Sequence, residues 1–367
     1  MTSVAAQAPA LPADLAELLG GELAPTVRRM GERPIGGGPV TDEQARARAA
    51  VWETLTETGV FDTAADGTES HEHLLQLGEL MGRSLYRGPY QDTAATAELI
   101  RALGPESQEH SGLLDALADG AAAVALAPRA AGTDDPAAPA PLTLGDGPDG
   151  PWISGSRRFV PFADAVDWLL VVGAVPHGTA LALVRADGPG VTARRQDDIS
   201  RGDLHTVTLE RVPLFGGRLL GDPADATAAW ARVLRSLRVR QAAALVGQAR
   251  GALALGVERA KSREQFDQPL ARHQSLAFTL SALAARVIAV RALVEQAART
   301  DDELTVLQAL ALAGELARDA AAQCLHIHGA HGMSEDADIQ LYFRRAALDA
   351  LLWGSPAQLW ARAATLL

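Results

Sequence analysis

The sequence predicts a mostly helical α+β fold in three successive parts: an N-terminal helical domain over residues 1–115, a small central β domain over 116–223, and a C-terminal four-helix bundle over 224–367. Three observations predict it. Apolar residues fall at three-to-four spacing toward both ends of the chain, the period of a helix with one buried face. Between them that period gives way to short β-prone runs cut by Gly, Pro and Asp. After residue 270 a long heptad-like repeat begins, the mark of helices packed along a seam. With 367 residues, 48% of them hydrophobic, and a mean hydropathy of +0.03, the chain can fill several packed layers.

In the first part, ADLAELLGGELAPTVRRM and DEQARARAAVWETLTETGVF carry the helical spacing, and Thr41 and Asp42 stand where a cap belongs. Gly36, Gly37 and Gly38 lie between Pro34 and Pro39, with no preceding strand and no following Lys-Ser/Thr pair, so they read as a linker and not as a phosphate loop. HEHLLQLGELMGRSL and TAATAELIRALG continue the helices. The β domain comprises AAAVALAP, RRFVPF, WLLVVGAV, ALALVRA and LHTVTLERVPL, separated by LGDGPDGPW, PHGT and ADGPG. In the third part, apolar residues at 276, 280, 283, 287, 290 and 294 make a seam that needs a cover, and an oligomer is expected to supply it. Asp301 and Asp302 read as the cap and first turn of the next helix. That helix carries Val306, Leu310, Ala313, Ala317, Ala320 and Cys324 on one face, which makes Cys324 a core thiol.

The net charge of -12 argues against nucleic acid or an anionic membrane as partner, since either would want a basic face. The basic residues are almost all Arg; Lys261 is the one lysine. One cysteine permits no intrachain disulfide. The segment MTSVAAQAPALPADL lacks the pattern of a signal peptide, and no run of about 18 uninterrupted apolar residues suggests a span. A cytoplasmic protein is expected. His326, His328 and His331 are interleaved with glycine and have no acidic ligand at a clear spacing, so no metal site is expected.

SREQFDQPLARHQ, residues 262–274, resembles the acyl-CoA dehydrogenase pattern R-x-x-F-G-x-P-(L/I)-x-x-x-Q through Arg263, Phe266, Pro269, Leu270 and Gln274, with Asp267 in place of the glycine. CLHIHGAHGMSEDADIQLYFRRA resembles the glycine segment and arginine-rich helix of the same family, with His326 at the usual Gln and Ala330 at the second glycine. LLGDP resembles the exit from its β domain. In ALAPRAAGTDD, Gly132, Thr133 and Asp134 line up with the β-domain signature, while Phe159-Val160-Pro161-Phe162 replaces the Trp-x-Thr/Ser stretch. SGSRRFVPFADAVDWLLVVGA and LGELMGRSLYRGPYQDTA are similar to the shorter, base-lacking subunits of heteromeric members that act on bulky acyl-CoA thioesters, and to relatives in natural-product pathways of secondary metabolism.

The resemblance implies an acyl-CoA dehydrogenase-like fold, FAD as cofactor, and an acyl thioester on CoA or a carrier protein as substrate. Arg263 would hold the pyrophosphate of a neighbouring subunit's FAD by paired hydrogen bonds. Phe266 would pack near the adenine and Gln274 would add polar contacts. His326 and Thr133 stand at cofactor-binding places, and Gly329 and Gly332 would let backbone approach the cofactor. The assembly would be a homo-oligomer, or a heterotetramer with a sister subunit.

Dehydrogenation α,β to a thioester needs a carboxylate for the α proton. The family places one either before the Gly of the segment aligned with Gly354, or on the first long bundle helix. Trp353 occupies the first place, and no Asp or Glu occurs between Asp225 and Glu258 to serve the second. Trp353 is expected to pack or to plug the cavity. Asp349, a turn earlier, is the nearest carboxylate, with a solvent-facing position as its default reading; His326 is the other candidate. A non-catalytic scaffold, or a cofactor-free enzyme on the same fold, is the alternative.

Overall fold

The computed structural model describes residues 15, 19, 24–29, 41–61, 71–104, 108–132, 135–148 and 150–367. The glycine linker at 36–38 and the candidate Thr133 lie outside the described residues.

Among the described residues the first named helices are α1 (Ala24–Arg29), α2 (Asp42–Glu57), α3 (His71–Arg83), α4 (Tyr90–Leu103) and α5 (Gln108–Ala118). Thr41 caps α2 in a reciprocal capping box with Gln44, satisfying two backbone donors that a helix start leaves open. Among the described residues seven strands follow: β1 (Val124–Ala127), β2 (Thr143–Gly147), β3 (Gly150–Pro161), β4 (Trp168–Val175), β5 (Gly178–Arg185), β6 (Val191–Arg195) and β7 (Leu204–Pro213). They form two sheets, β1-β4-β5 and β2-β3-β7-β6. The strand β4 is buried on both faces. Leu169 and Val171 join the core between the sheets, while Trp168, Leu170 and Val172 join the main helical core. This double burial is why WLLVV reads as an unbroken apolar run and not as an alternation. Arg157 ties the two sheets together. It is almost fully buried and donates to the carbonyls of Val172, Ala140 and Ser156.

The last part is built on α6 (Pro223–Ser262), 40 residues long and so about 60 Å from end to end. The hairpin of β8 (Glu264–Gln265) and β9 (Gln268–Pro269) follows, then α7 (Gln274–Thr300), α8 (Glu303–His328), α9 (Ile339–Asp349) and α10 (Pro356–Ala364). From Leu237 to Ala249 every side of α6 is buried. Its contact with α3 is backbone on backbone: a Cβ added at Gly82 would stand 1.8 Å from the Ala244 carbonyl oxygen, and one added at Gly247 would stand 2.1 Å from that of Glu79.

Two expectations need correction. The α7 seam is covered within the chain: Leu280, Leu283, Val287, Val290 and Val294 belong to the main core, and the face left open carries Phe278 and Ile288. Asp301 does not start α8. It closes α7 in the left-handed region (φ 47°) and pairs with Arg235, while Asp302 alone caps α8 through Thr305. Among the described residues α7 alone is long and apolar enough to cross a bilayer; it packs against α6 and α8 and carries Arg286, Arg291 and Arg299.

Candidate functional site

Where the three parts meet lies a cleft enclosing about 130 Å³. Each part contributes through a local feature. The end of α3 leads into a turn with Leu85 at φ 53° and delivers Tyr86 and Arg87. The first turns of α4 bring Gln91 and Asp92. Strand β1 and the loop after it bring Leu126, Pro128 and Arg129, and the end of β3 brings Phe159, Pro161 and Phe162. Phe159 and Phe162 also stand at positive φ (56° and 55°), a strained setting for bulky residues that clusters beside the cleft. Across from them, α6 supplies Gln241 and Gln248, and α9 with its following turn supplies Arg345, Asp349 and Trp353.

Asp349 does not face solvent. It is 5% exposed, and its Oδ2 accepts from Gln248 Nε2 at 2.5 Å and from Arg345 Nη2 at 3.0 Å. Arg345 is itself fixed through Nη1 to the Leu85 carbonyl at 3.1 Å. The turn after Asp349 is held by side chains from elsewhere. Gln241 donates to the Asp349 carbonyl, Arg129 to that of Leu351 and Arg238 to that of Trp353. Trp353 is 7% exposed and joins the main core while lining the cleft. It therefore both packs and fills.

Asp92 escaped the sequence reading. Its Oδ2 accepts from the Leu126 backbone N–H at 2.9 Å, and neighbouring Thr93 accepts from Val124 N–H, so α4 satisfies the outer edge of β1. Burial raises the Asp92 carboxyl to about 7, against the lowering influence of the Leu126 N–H and Arg129. Burial likewise brings Arg87 down to about 9, helped by Arg345 beside it and opposed by Asp349, Asp198 and Asp203. Tyr86 Oη and Gln248 Oε1 are among the cleft atoms buried without a hydrogen-bond partner. The signal for these residues was present in their setting. Asp92 opens a helix of small and apolar residues, and Gln241 and Gln248 sit in the middle of a long helix without acids.

The other candidates lie at the far end of α6, away from the cleft. Arg263, Phe266 and Gln274 are exposed at its tip, Phe266 to 86%. His326 and Gly329 are exposed at the same end of the bundle, where Gly256 of α6 abuts Cys324 and the charge of Arg259 reaches His328. Gly329 has φ 63° and open space around it. Gly332 is buried, and its missing side chain is accounted for by His328 Cβ at 2.7 Å. No cluster of metal-ligating side chains occurs among the described residues. Cys324 is fully buried and its thiol is pushed up to about 12 by burial.

Residues 227–364 match the family model described as acyl-CoA dehydrogenase, C-terminal domain. A chain of a variant of the Tcur3481–Tcur3483 steroid ACAD superposes with a TM-score of 0.78 at 28% identity, over 96% of this chain and 97% of that one. Residues 227–364 of this chain are an acyl-CoA dehydrogenase C-terminal domain, and the chain as a whole has the acyl-CoA dehydrogenase fold. Acyl-CoA dehydrogenase FadE27 of Mycobacterium tuberculosis is 26% identical over 317 residues, 81% of this chain and 82% of its own. The short-chain-specific acyl-CoA dehydrogenase of Megasphaera elsdenii is 27% identical over 218 residues, and the match spans 55% of this chain and 56% of its length. Within the acyl-CoA dehydrogenase frame, the cleft lies between the β domain and the bundle, and the exposed tip of α6 is a separate surface.

Proposed function

We propose that this chain is an acyl-CoA dehydrogenase-like flavoprotein that takes an acyl thioester in the cleft, with Asp349 as the carboxylate that serves it. The observation that carries the reading is the inward turn of Asp349. It stands four residues before Trp353, which itself holds the place where the resemblance puts the base, and it lies among cleft side chains fixed from three directions. Arg345 and Gln248 fix the position of the Asp349 carboxyl in the cleft wall.

The residues suit FAD in two places. Phe159, Pro161, Phe162 and Leu126 make an apolar, partly aromatic wall on which a flat conjugated ring can lie, with the Arg129 guanidinium 5.4 Å from the Phe159 ring centre. Arg263 and Gln274 at the tip are free to meet the pyrophosphate and polar edges of a cofactor in a neighbouring chain. FAD, when bound, would accept the β hydride; the chain's own residues orient the thioester, exclude water and hold the α proton's acceptor.

The separation of tip from cleft, together with Trp353 at the usual base position, supports a second reading. This chain completes the site of a sister subunit that carries the ordinary base. The paired name of the Tcur3481–Tcur3483 structure fits such an arrangement. Both readings are tested by the visible spectrum of the purified protein and by turnover of Asp349→Asn. Flavin bands with activity that Asp349→Asn abolishes support the first. A colourless, inactive chain that gains flavin and activity on co-expression with a neighbouring homologue supports the second. A chain that stays colourless and inactive in either setting removes both and leaves a non-catalytic scaffold.

A further inference from the structure

The two arginines of the cleft wall beside Asp349 already have their counter-charges. Arg345 pairs with Asp349, and Ser200 joins Arg87 to Asp198, with Asp349 and Asp203 also acting on it. What the wall leaves open here is neutral. Arg345 donates to Asp349 Oδ2 through Nε at 3.2 Å and Nη2 at 3.0 Å, so that oxygen meets Gln248 as an acceptor. Only the amide nitrogen of Gln248 can approach it, and Nε2 does so at 2.5 Å. The orientation of the amide is thereby fixed. Its Oε1 is the free end, buried without a partner on a side chain that is 3% exposed and lines the cleft. An amide oxygen accepts and never donates, and leaving it unmatched out of water is costly. A ligand recovers that cost by bringing an O–H or N–H. A carboxylate has no hydrogen to give, and Arg87 and Arg345 oppose an ammonium. An amide N–H brings a carbonyl that needs a donor of its own, while Gln248 and Arg345 are committed to Asp349 and the Leu85 carbonyl. A hydroxyl meets none of these objections. All the donors on Asp349 converge on Oδ2, so Oδ1 is the oxygen left to face the reacting carbon. Because Gln248 is bonded to Asp349 itself, a hydroxyl that it receives lies within a few bonds of that carbon.

Resting on the reading of Asp349 as the carboxylate that serves an acyl thioester, we propose that the acyl group carries a hydroxyl near the reacting carbons and that Gln248 Oε1 accepts its hydrogen. Gln248 then does two things at once: its nitrogen holds Asp349 in place and its oxygen selects the substrate.

The test is calorimetric titration of the full-length protein, with FAD supplied. The probes are the hydroxylated forms of butyryl-, hexanoyl- and cyclohexanecarbonyl-CoA, with the hydroxyl on the second, third or fourth carbon, each against its unsubstituted parent. At least one hydroxyacyl thioester should bind about tenfold or more tightly than its parent, because a buried acceptor left unpaired penalises the analogue that lacks the hydroxyl. Gln248→Met keeps the length of the side chain and removes the acceptor, and it should reduce that ratio to about threefold or less. The ratio is taken within one protein, so any general loss of affinity from freeing Asp349 cancels. Equal affinity within every pair, or preference for the parent, overturns the hydroxyl proposal and leaves the thioester reading standing. A preference that survives intact in Gln248→Met overturns the assignment to Gln248. Binding of no probe overturns the proposal and the thioester reading together. The wild-type comparison decides for or against the hydroxyl whether or not the variant folds.

Discussion

Asp92→Asn tests the electrostatics of the cleft without touching its shape. The asparagine oxygen can still accept from the Leu126 N–H, but the group no longer titrates. In the folded protein the carboxyl is raised from 3.8 to about 7 by burial. Because the folded-state value is the higher one, the native state holds the proton through a range where the unfolded chain releases it. The wild type therefore loses stability as pH rises from about 4 to about 7, and the loss is complete above that range. Between about pH 5 and about pH 8 the difference integrates to about 2.5 kcal/mol, at 1.36 kcal/mol per unit. Urea unfolding of both proteins at the two pH values gives the quantity directly. A constant cost of the amide cancels in the double difference. The variant should lose about 2.5 kcal/mol less than the wild type over that interval. Identical pH dependence in the two proteins would refute the reasoning and show Asp92 ionised in the fold.

The remaining predictions are simpler. Gly82→Ala should lower unfolding free energy by at least about 2 kcal/mol, since its Cβ would meet the Ala244 carbonyl with neither helix free to withdraw, and a thermal melt reads this. Trp353→Ala should cost about 3–5 kcal/mol by opening a cavity in a wall shared with the core, seen in chemical denaturation. Arg157→Leu should cost about 2–3 kcal/mol, because the Val172 carbonyl loses both guanidinium hydrogen bonds between the two sheets, while the Ala140 carbonyl keeps the Ala174 N–H. Cys324 should resist thiol reagents in the native protein at about pH 8 and react in denaturant, as mass spectrometry after alkylation would show.

What was legible in the sequence was what a local pattern records. The heptad of α7 and the core face of α8 ending at Cys324 are periods within one helix, and the structure has them facing the core. The inward turn of Asp349 was not legible, because it depends on Gln241 and Gln248, about a hundred residues earlier on α6. The middle of α6 carries no amphipathic period because it has no outer face there. Arg87 looked like any of the chain's many arginines, and only the turn at Leu85 aims it into the cleft. The acids Glu335 and Asp338, in a loop that shows no period, anchor Arg201 and the pair Arg28 and Arg29. Ion pairs between distant segments leave no trace in spacing.

The tip of α6 has a practical use. Lys261 is the single lysine of the chain and is exposed two residues before Arg263. An amine-reactive dye, applied after the α-amino group is blocked, would therefore mark one place on the whole molecule, and it is the place where a second chain is expected to arrive. Fluorescence anisotropy and quenching of such a conjugate would report docking in real time, with no engineered cysteine and without disturbing the cleft some tens of ångströms away along the helix.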